Sequence, residues 1–269
     1  MSHRRTHIKN KISRSTPKTP FFKKSVFWIV FLCLAITFGA VYFVLFFENF
    51  WVKNIMISGN EKISTESIKE LVVTGINKNI TKSIFLINEG DIVKKIMEKF
   101  PAIEKISISK KYFQTITLGI TERKPAGAYC NENGKCFLVD QNGVAFSALG
   151  GPRSAEEEGM FIIRQNFGKK DVVTGEQAIE GKIISAVSKI QKSLKEKFNI
   201  DVLNAMVTTP IRLDVKTKEN WEIYFNIEDL SNIDFQVDKL GALLSSELTP
   251  DQRKTLEYID LRFEKTYYK

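Results

Sequence analysis

The chain has 269 residues, 43% of them hydrophobic, and a formal net charge of +9. Divided along the chain, that charge loses its apparent link to nucleic acid. Residues 1–25 carry eight Lys or Arg and no acid, whereas residues 48–269 hold thirty-two bases against thirty-one acids, a near-neutral balance that leaves no electrostatic footprint for DNA or RNA.

The basic tail, residues 1–25, is rich in Ser, Thr, Lys and Pro and is expected not to fold. Val26 to Phe47 follows without a single charge. As a helix these residues reach about 33 Å, enough for a hydrocarbon core of about 30 Å. Buried soluble helices rarely stay apolar on every face for so long. A cleaved signal peptide would have a shorter core and a small-x-small site, and the run ends instead in Phe46-Phe47-Glu48. Leu32 before Cys33 is too bulky for a lipoprotein site. The run therefore reads as an uncleaved anchor, and the eight positive charges place the N-terminus in the cytoplasm and the bulk of the chain outside.

The 222 residues from 48 onward suffice for one large domain or two smaller ones. Asn54 to Ser58 predicts a strand, closed by Gly59-Asn60. Ser64 and Thr65 open a helix with Ile68, Leu71 and Val72 on one face. Gly90-Asp91 opens a second, Ile92 to Phe100, stopped by Pro101. The period then becomes two. Ile106 and Ile108 alternate with serines, and after Tyr112-Phe113-Gln114, Ile116, Leu118 and Ile120 alternate with Thr117, Gly119 and Thr121. Strand, helix, helix, strand, strand makes a small α+β unit over 50–124.

A larger β-rich unit with flanking helices is expected over 125–269. Cys130 and Cys136 bracket Asn133-Gly134, a tight-turn signal. A disulfide across a hairpin is permitted in an exported region; two buried thiols are the alternative, and a metal site ranks below both, because no further Cys or His lies nearby. Strands are predicted at 136–139 and 144–147, an exposed loop at 150–158, and a strand at 161–164. A helix from Glu176 to Phe198 carries Ile179, Ile183, Val187, Ile190, Leu194 and Phe198 on one side. It reads as an amphipathic helix on a sheet, with a coiled-coil seam as the alternative. Strands at 203–208, 211–216 and 221–227, a helix at 233–246 and a terminal strand at 256–263 complete the order.

Catalytic machinery is not apparent. The two histidines, His3 and His7, lie in the tail, so the exported region has no imidazole base. Ser107 and Lys110 have Ser-x-x-Lys spacing, but residues three apart in a strand face opposite sides. No catalytic residue, cofactor or metal ligand is assigned. A membrane-tethered hydrolase built on a carboxylate pair remains the enzyme alternative.

These patterns together resemble a known family. Ile55 to Asn60, Phe100-Pro101 through Ile106, the strand from Thr115 ending in Glu122-Arg123-Lys124-Pro125-Ala126, the hairpin from Leu138 to Phe146, and Tyr258-Ile259-Asp260-Leu261-Arg262-Phe263 follow, in order, segments of bacterial cell-division proteins of the FtsQ/DivIB type. Two departures are Phe113, where that family usually has Pro, and a short extension after Phe263. The resemblance implies an anchor, a POTRA domain and a β-rich domain. It also implies a non-enzymatic divisome scaffold at the septum that recruits the small coiled-coil proteins FtsB/DivIC and FtsL and helps control septal peptidoglycan synthesis. The rival binding role is an extracytoplasmic sensor or a POTRA-bearing transport component.

The terminal strand is the expected partner site. Ile259, Leu261 and Phe263 would face the core, leaving Tyr258, Asp260 and Arg262 outward on an edge that another strand can join. Tyr258, Asp260, Arg262 and Phe263 are the candidate partner-binding residues.

Overall fold

The computed structural model of the chain describes residues 22, 24–78, 81–111, 114–157, 159–166, 171–248 and 250–269. Most of the basic tail and the Tyr112-Phe113 turn lie outside the described residues. Helix α1, Ser25–Phe46, has no buried residue, as suits a helix solvated by lipid on all sides. Its orphan carbonyls are partly satisfied: the Thr81 hydroxyl donates to Leu45 O at 2.7 Å and that of Ser83 to Val44 O at 3.4 Å. A 3₁₀ turn, Glu48–Phe50, and a bridge between Trp51 and Ser83 then lead into the first sheet.

That sheet has the order β1-β3-β2. Strand β1 (Asn54–Ser58) runs parallel to β3 (Thr115–Glu122), and β2 (Ile103–Lys111) is antiparallel to β3. Helix α2, Thr65–Asn77, is capped by Ser64, whose hydroxyl accepts the Ser67 N–H. Helix α3, Glu89–Lys99, begins before the expected Ile92, because the Asn88 side chain accepts the Asp91 N–H and so caps an earlier turn. Ile68 and Val72 of α2 and Ile96 of α3 pack on Ile103, Ile116 and Leu118 of the strands. Gly59 has φ +85°, and a Cβ there would meet Ile120 O at 2.2 Å. At the end of β3 the Glu122 carboxylate accepts the N–H groups of Glu61, Lys62 and Ile63 at 2.8–3.1 Å. Burial opposes its ionisation, yet these amides hold its pKa below the ordinary carboxylate value.

Residues 127–268 form one nine-stranded mixed sheet, ordered β12-β11-β10-β9-β8-β7-β4-β5-β6. Its strands are β4 (Gly127–Cys130), β5 (Cys136–Val139), β6 (Ala145–Leu149), β7 (Ile162–Gln165), β8 (Val202–Thr209), β9 (Arg212–Thr217), β10 (Glu222–Asn226), β11 (Tyr258–Asp260) and β12 (Tyr267–Tyr268). Parallel neighbours need crossovers. Helix α5 (Gly181–Phe198) links β7 to β8, and α6 (Ile233–Ser246) with the short α7 (Pro250–Arg253) links β10 to β11. Helix α5 lies on the sheet and beside α6, the packing expected of a single amphipathic helix. Ile183, Val187, Ile190 and Leu194 of α5 meet Val237 and Leu240 of α6 over Val215, Trp221, Ile223 and Phe225. Gln236 pins α6 to β10, accepting the Asn226 N–H at 2.8 Å and donating to Asn226 O at 2.9 Å.

Three sequence expectations need correction here. The long helix begins at Gly181, not Glu176, because residues 175–178 are used as a strap. Gly175 N–H donates to Ala145 O, Ala145 N–H to Glu176 O and Ala178 N–H to Gly143 O, along the outer side of β6. The expected loop at 150–158 contains α4, Pro152–Glu157, because Ala155 is buried against Ala128, Cys130, Cys136 and Ile162. The expected strand 256–263 shrinks to Tyr258–Asp260.

The cysteines end β4 and β5 as a cross-strand pair, Cα atoms 4.1 Å apart and sulfurs joined in a disulfide. The neighbouring pair, Asn131 and Lys135, is hydrogen-bonded, so Cys130 and Cys136 occupy the closer, non-hydrogen-bonded position.

The two sheets are clasped at Arg123. Its guanidinium donates to Pro101 O at 3.1 Å and pairs with Asp140, whose other oxygen accepts the N–H groups of Asn142 and Val144 at 2.9 Å. Both charges are nearly out of solvent, with side-chain exposures of 12% and 6%.

Candidate partner-binding edge

Strand β11 is not an edge. It lies between β10, parallel to it, and β12, antiparallel, with Ile259 opposite Tyr268 and Asp260 opposite Tyr267. The edge belongs to β12. Tyr258 and Lys269 exchange backbone hydrogen bonds. The antiparallel alternation therefore turns the N–H and C=O of Tyr268 outward, away from β11. Those two groups form a short template for an added strand.

The four expected contact residues share one neighbourhood, though not in the expected roles. Tyr258 stacks on Tyr224 of β10, ring centroids 5.2 Å apart. Asp260 is buried and accepts from Arg262 three times: the backbone N–H at 3.0 Å, Nε at 2.9 Å and Nη2 at 2.6 Å. Arg262 is thus already committed to a carboxylate of its own chain. Burial works against the charge on Asp260, but the hydrogen bonds and the charge of Arg262 win and keep its pKa below 3.8. Phe263, expected in the core beside the buried Ile259 and Leu261, is 55% exposed, because the strand has ended and the chain has turned away.

Sequence reasoning named Phe263 but missed the residues around it. Phe263 packs edge-on against Tyr267 at 6.2 Å. Phe235 on α6 is 64% exposed, with the Lys239 ammonium 5.8 Å above its ring. Lys239 donates to the carbonyls of Leu261 and Phe263, fixing the chain as it leaves β11. Its burial lowers its pKa despite the nearby carboxylates of Asp260 and Glu264. Between α6 and this segment runs an open groove of about 410 Å³, lined in part by Asn226, Asp229, Phe235, Lys239, Arg262 and Phe263. The one signal in the sequence was the aromatic pair Tyr267-Tyr268 beyond the expected strand.

A family model for the FtsQ-type POTRA domain matches residues 50–123. A second, for the C-terminal region of the cell-division protein FtsQ/DivIB, matches residues 128–262. The chain belongs to the FtsQ/DivIB family of cell-division proteins. The three-stranded sheet with α2 and α3 is its POTRA domain, and the nine-stranded sheet carries the C-terminal region of the FtsQ/DivIB type. Among curated proteins, none matches the chain. The matched FtsQ/DivIB region ends at residue 262, so Phe263 and β12 lie beyond it. An apolar helix suited to anchoring in a membrane precedes both domains.

Proposed function

We propose that this FtsQ/DivIB-type protein is a non-enzymatic scaffold that captures a strand of FtsB/DivIC, and through it FtsL, on the open side of β12. In this reading the POTRA domain spans 50–124 and the partner-binding domain 125–269. The basic tail keeps the N-terminus in the cytoplasm, and the assembled complex gathers at the septum and helps license peptidoglycan synthesis there. One observation carries the reading: the outward N–H and C=O of Tyr268, beside the exposed rings of Phe235, Phe263 and Tyr267. Backbone groups would supply the ladder, and the aromatic side chains the anchors.

Partner capture by the exported region, read in a pull-down of the FtsB/DivIC extracytoplasmic segment, tests it. Tyr268→Pro removes the outward donor while sparing the β11 pairing, and is expected to cut capture at least tenfold at an unchanged melting temperature. Full capture by that variant would move the site elsewhere. Leu261→Pro is not a suitable probe, because the Leu261 N–H bonds Tyr224 O inside the sheet. Arg262→Glu is equally unsuitable, as it would set a second carboxylate against Asp260. For orientation, a Cys placed at Val173, which is exposed, should react with a membrane-impermeant thiol reagent in spheroplasts, and one placed at Ser2 should not.

A further inference from the structure

We propose that the POTRA turn Ile84–Leu86 is a second membrane contact, with Phe85 and Leu86 seated in the outer lipid interface. The inference rests on the reading of α1 as a membrane span. Register carries it. Thr81 and Ser83, both buried, bond to the carbonyls of Leu45 and Val44, which belong to the last turn of the apolar helix itself. Val44 lies about 4.5 Å inside Phe47 at 1.5 Å per residue. The first charge after the span is Glu48. The turn is therefore held level with the end of the span rather than above it.

At that level the POTRA domain exposes apolar surface. Phe85 and Leu86 are each 48% exposed, and the Phe85 ring lies 5.7 Å from that of Phe50. Phe50 in turn neighbours Phe43 and Phe47, both at 6.3 Å, so aromatic surface runs without a break from the helix onto the domain. Lipid already covers the helix side of that surface, and its continuation onto the turn meets the same solvent. Aromatic and apolar side chains favour this depth, where a bilayer passes from hydrocarbon to headgroup. Exposed Lys82, next to the turn, can meet lipid phosphates. The occupant is the bilayer interface, not another protein.

The test uses the full chain in nanodiscs containing lipid spin-labelled near the top of the acyl chain. The fluorophore NBD is placed on Phe85→Cys or Leu86→Cys in a Cys33→Ala background, with Val73→Cys on α2 as a surface reference. A chain labelled at the native Cys33 reports on the span. Blue-shifted emission at 85 and 86, quenched at least twofold more than at 73, is the expected result. Emission at 85 and 86 like that at 73, while the Cys33 probe is quenched, overturns the second contact and leaves the anchor standing. A Cys33 probe that escapes quenching overturns the span and the inference with it. A blue-shifted probe at 85 that lipid does not quench means a protein covers the turn, which also overturns it. Matching melting temperatures confirm that the labelled chains are folded.

Discussion

The two margins of the nine-stranded sheet are built in opposite ways. At the β6 margin, the strap of residues 175–178 bonds to Gly143 and Ala145, and the β5–β6 turn is locked to the POTRA domain through Asp140 and Arg123. Gly143 makes the strap possible: its φ is +76°, and a Cβ there would lie 1.8 Å from Ile179 O. At the β12 margin a two-residue strand carries outward backbone groups and exposed tyrosines. Edges invite other strands, and a protein that covers part of one margin and leaves aromatic rings on the other has directed that tendency. The polar clusters differ in the same sense. Arg123 and Asp140 join residues of two domains, whereas Asp260 and Arg262 sit two residues apart and organise only the chain around them.

The sharpest break in this comparison is at the covered margin. Arg123→Ala leaves Asp140 buried without its cation, and the region from residue 48 onward is expected to lose about 3–5 kcal/mol in urea unfolding. A loss below 1 kcal/mol would mean the clasp is ornamental. At the open margin, Arg262→Ala removes hydrogen bonds to a charged group and should cost about 2–3 kcal/mol. The pH dependence sharpens this prediction. Asp260 has a folded pKa below its ordinary 3.8, so its contribution is complete above that value and vanishes as pH falls through the lower folded pKa. Arg262→Ala should therefore flatten the acid limb of stability, and an unchanged limb would count against the pairing. The smallest effect concerns Cys130 and Cys136, which we propose are paired in exported protein. Replacing both with Ala opens a short loop and should cost about 2 kcal/mol or less. Non-reducing alkylation followed by intact-mass measurement should find neither thiol modified before reduction; two modified thiols would refute the pairing.

Much of this architecture was legible because it is periodic. The alternation Ile116, Leu118, Ile120 gave β3, and the apolar positions of α5 from Ile183 onward gave its buried face. Helix α6 was readable to its ends. What could not be read depended on partners distant in sequence. Nothing local shows that residues 175–178 are held by Gly143 and Ala145, and the sequence pattern alone continues the helix over them. Strand β12 is too short to carry a period at all. The pairing of Asp260 with Arg262 is within reach of the sequence, since residues two apart on a strand share a face, and it satisfies within the chain an arginine that alternation alone offers to a partner. Phe263 continued the alternation of Ile259 and Leu261 past the point where the sheet stopped.

Helix α1 ends at Phe46 and β1 begins at Asn54. The residues between are not free cord: the 3₁₀ turn, the Trp51–Ser83 bridge and the bond from Val52 N–H to Lys82 O account for most of them. A domain attached so closely cannot sample a sphere above the bilayer. It searches a plane. For the partner strand proposed above, the relevant concentration would then be an areal density, and the length of the stalk that carries it would fix whether it arrives at the right altitude. On that proposed reading, shortening the stalk by a few helical turns would silence an intact recognition strand, much as cutting a ladder leaves the hand whole but the shelf out of reach.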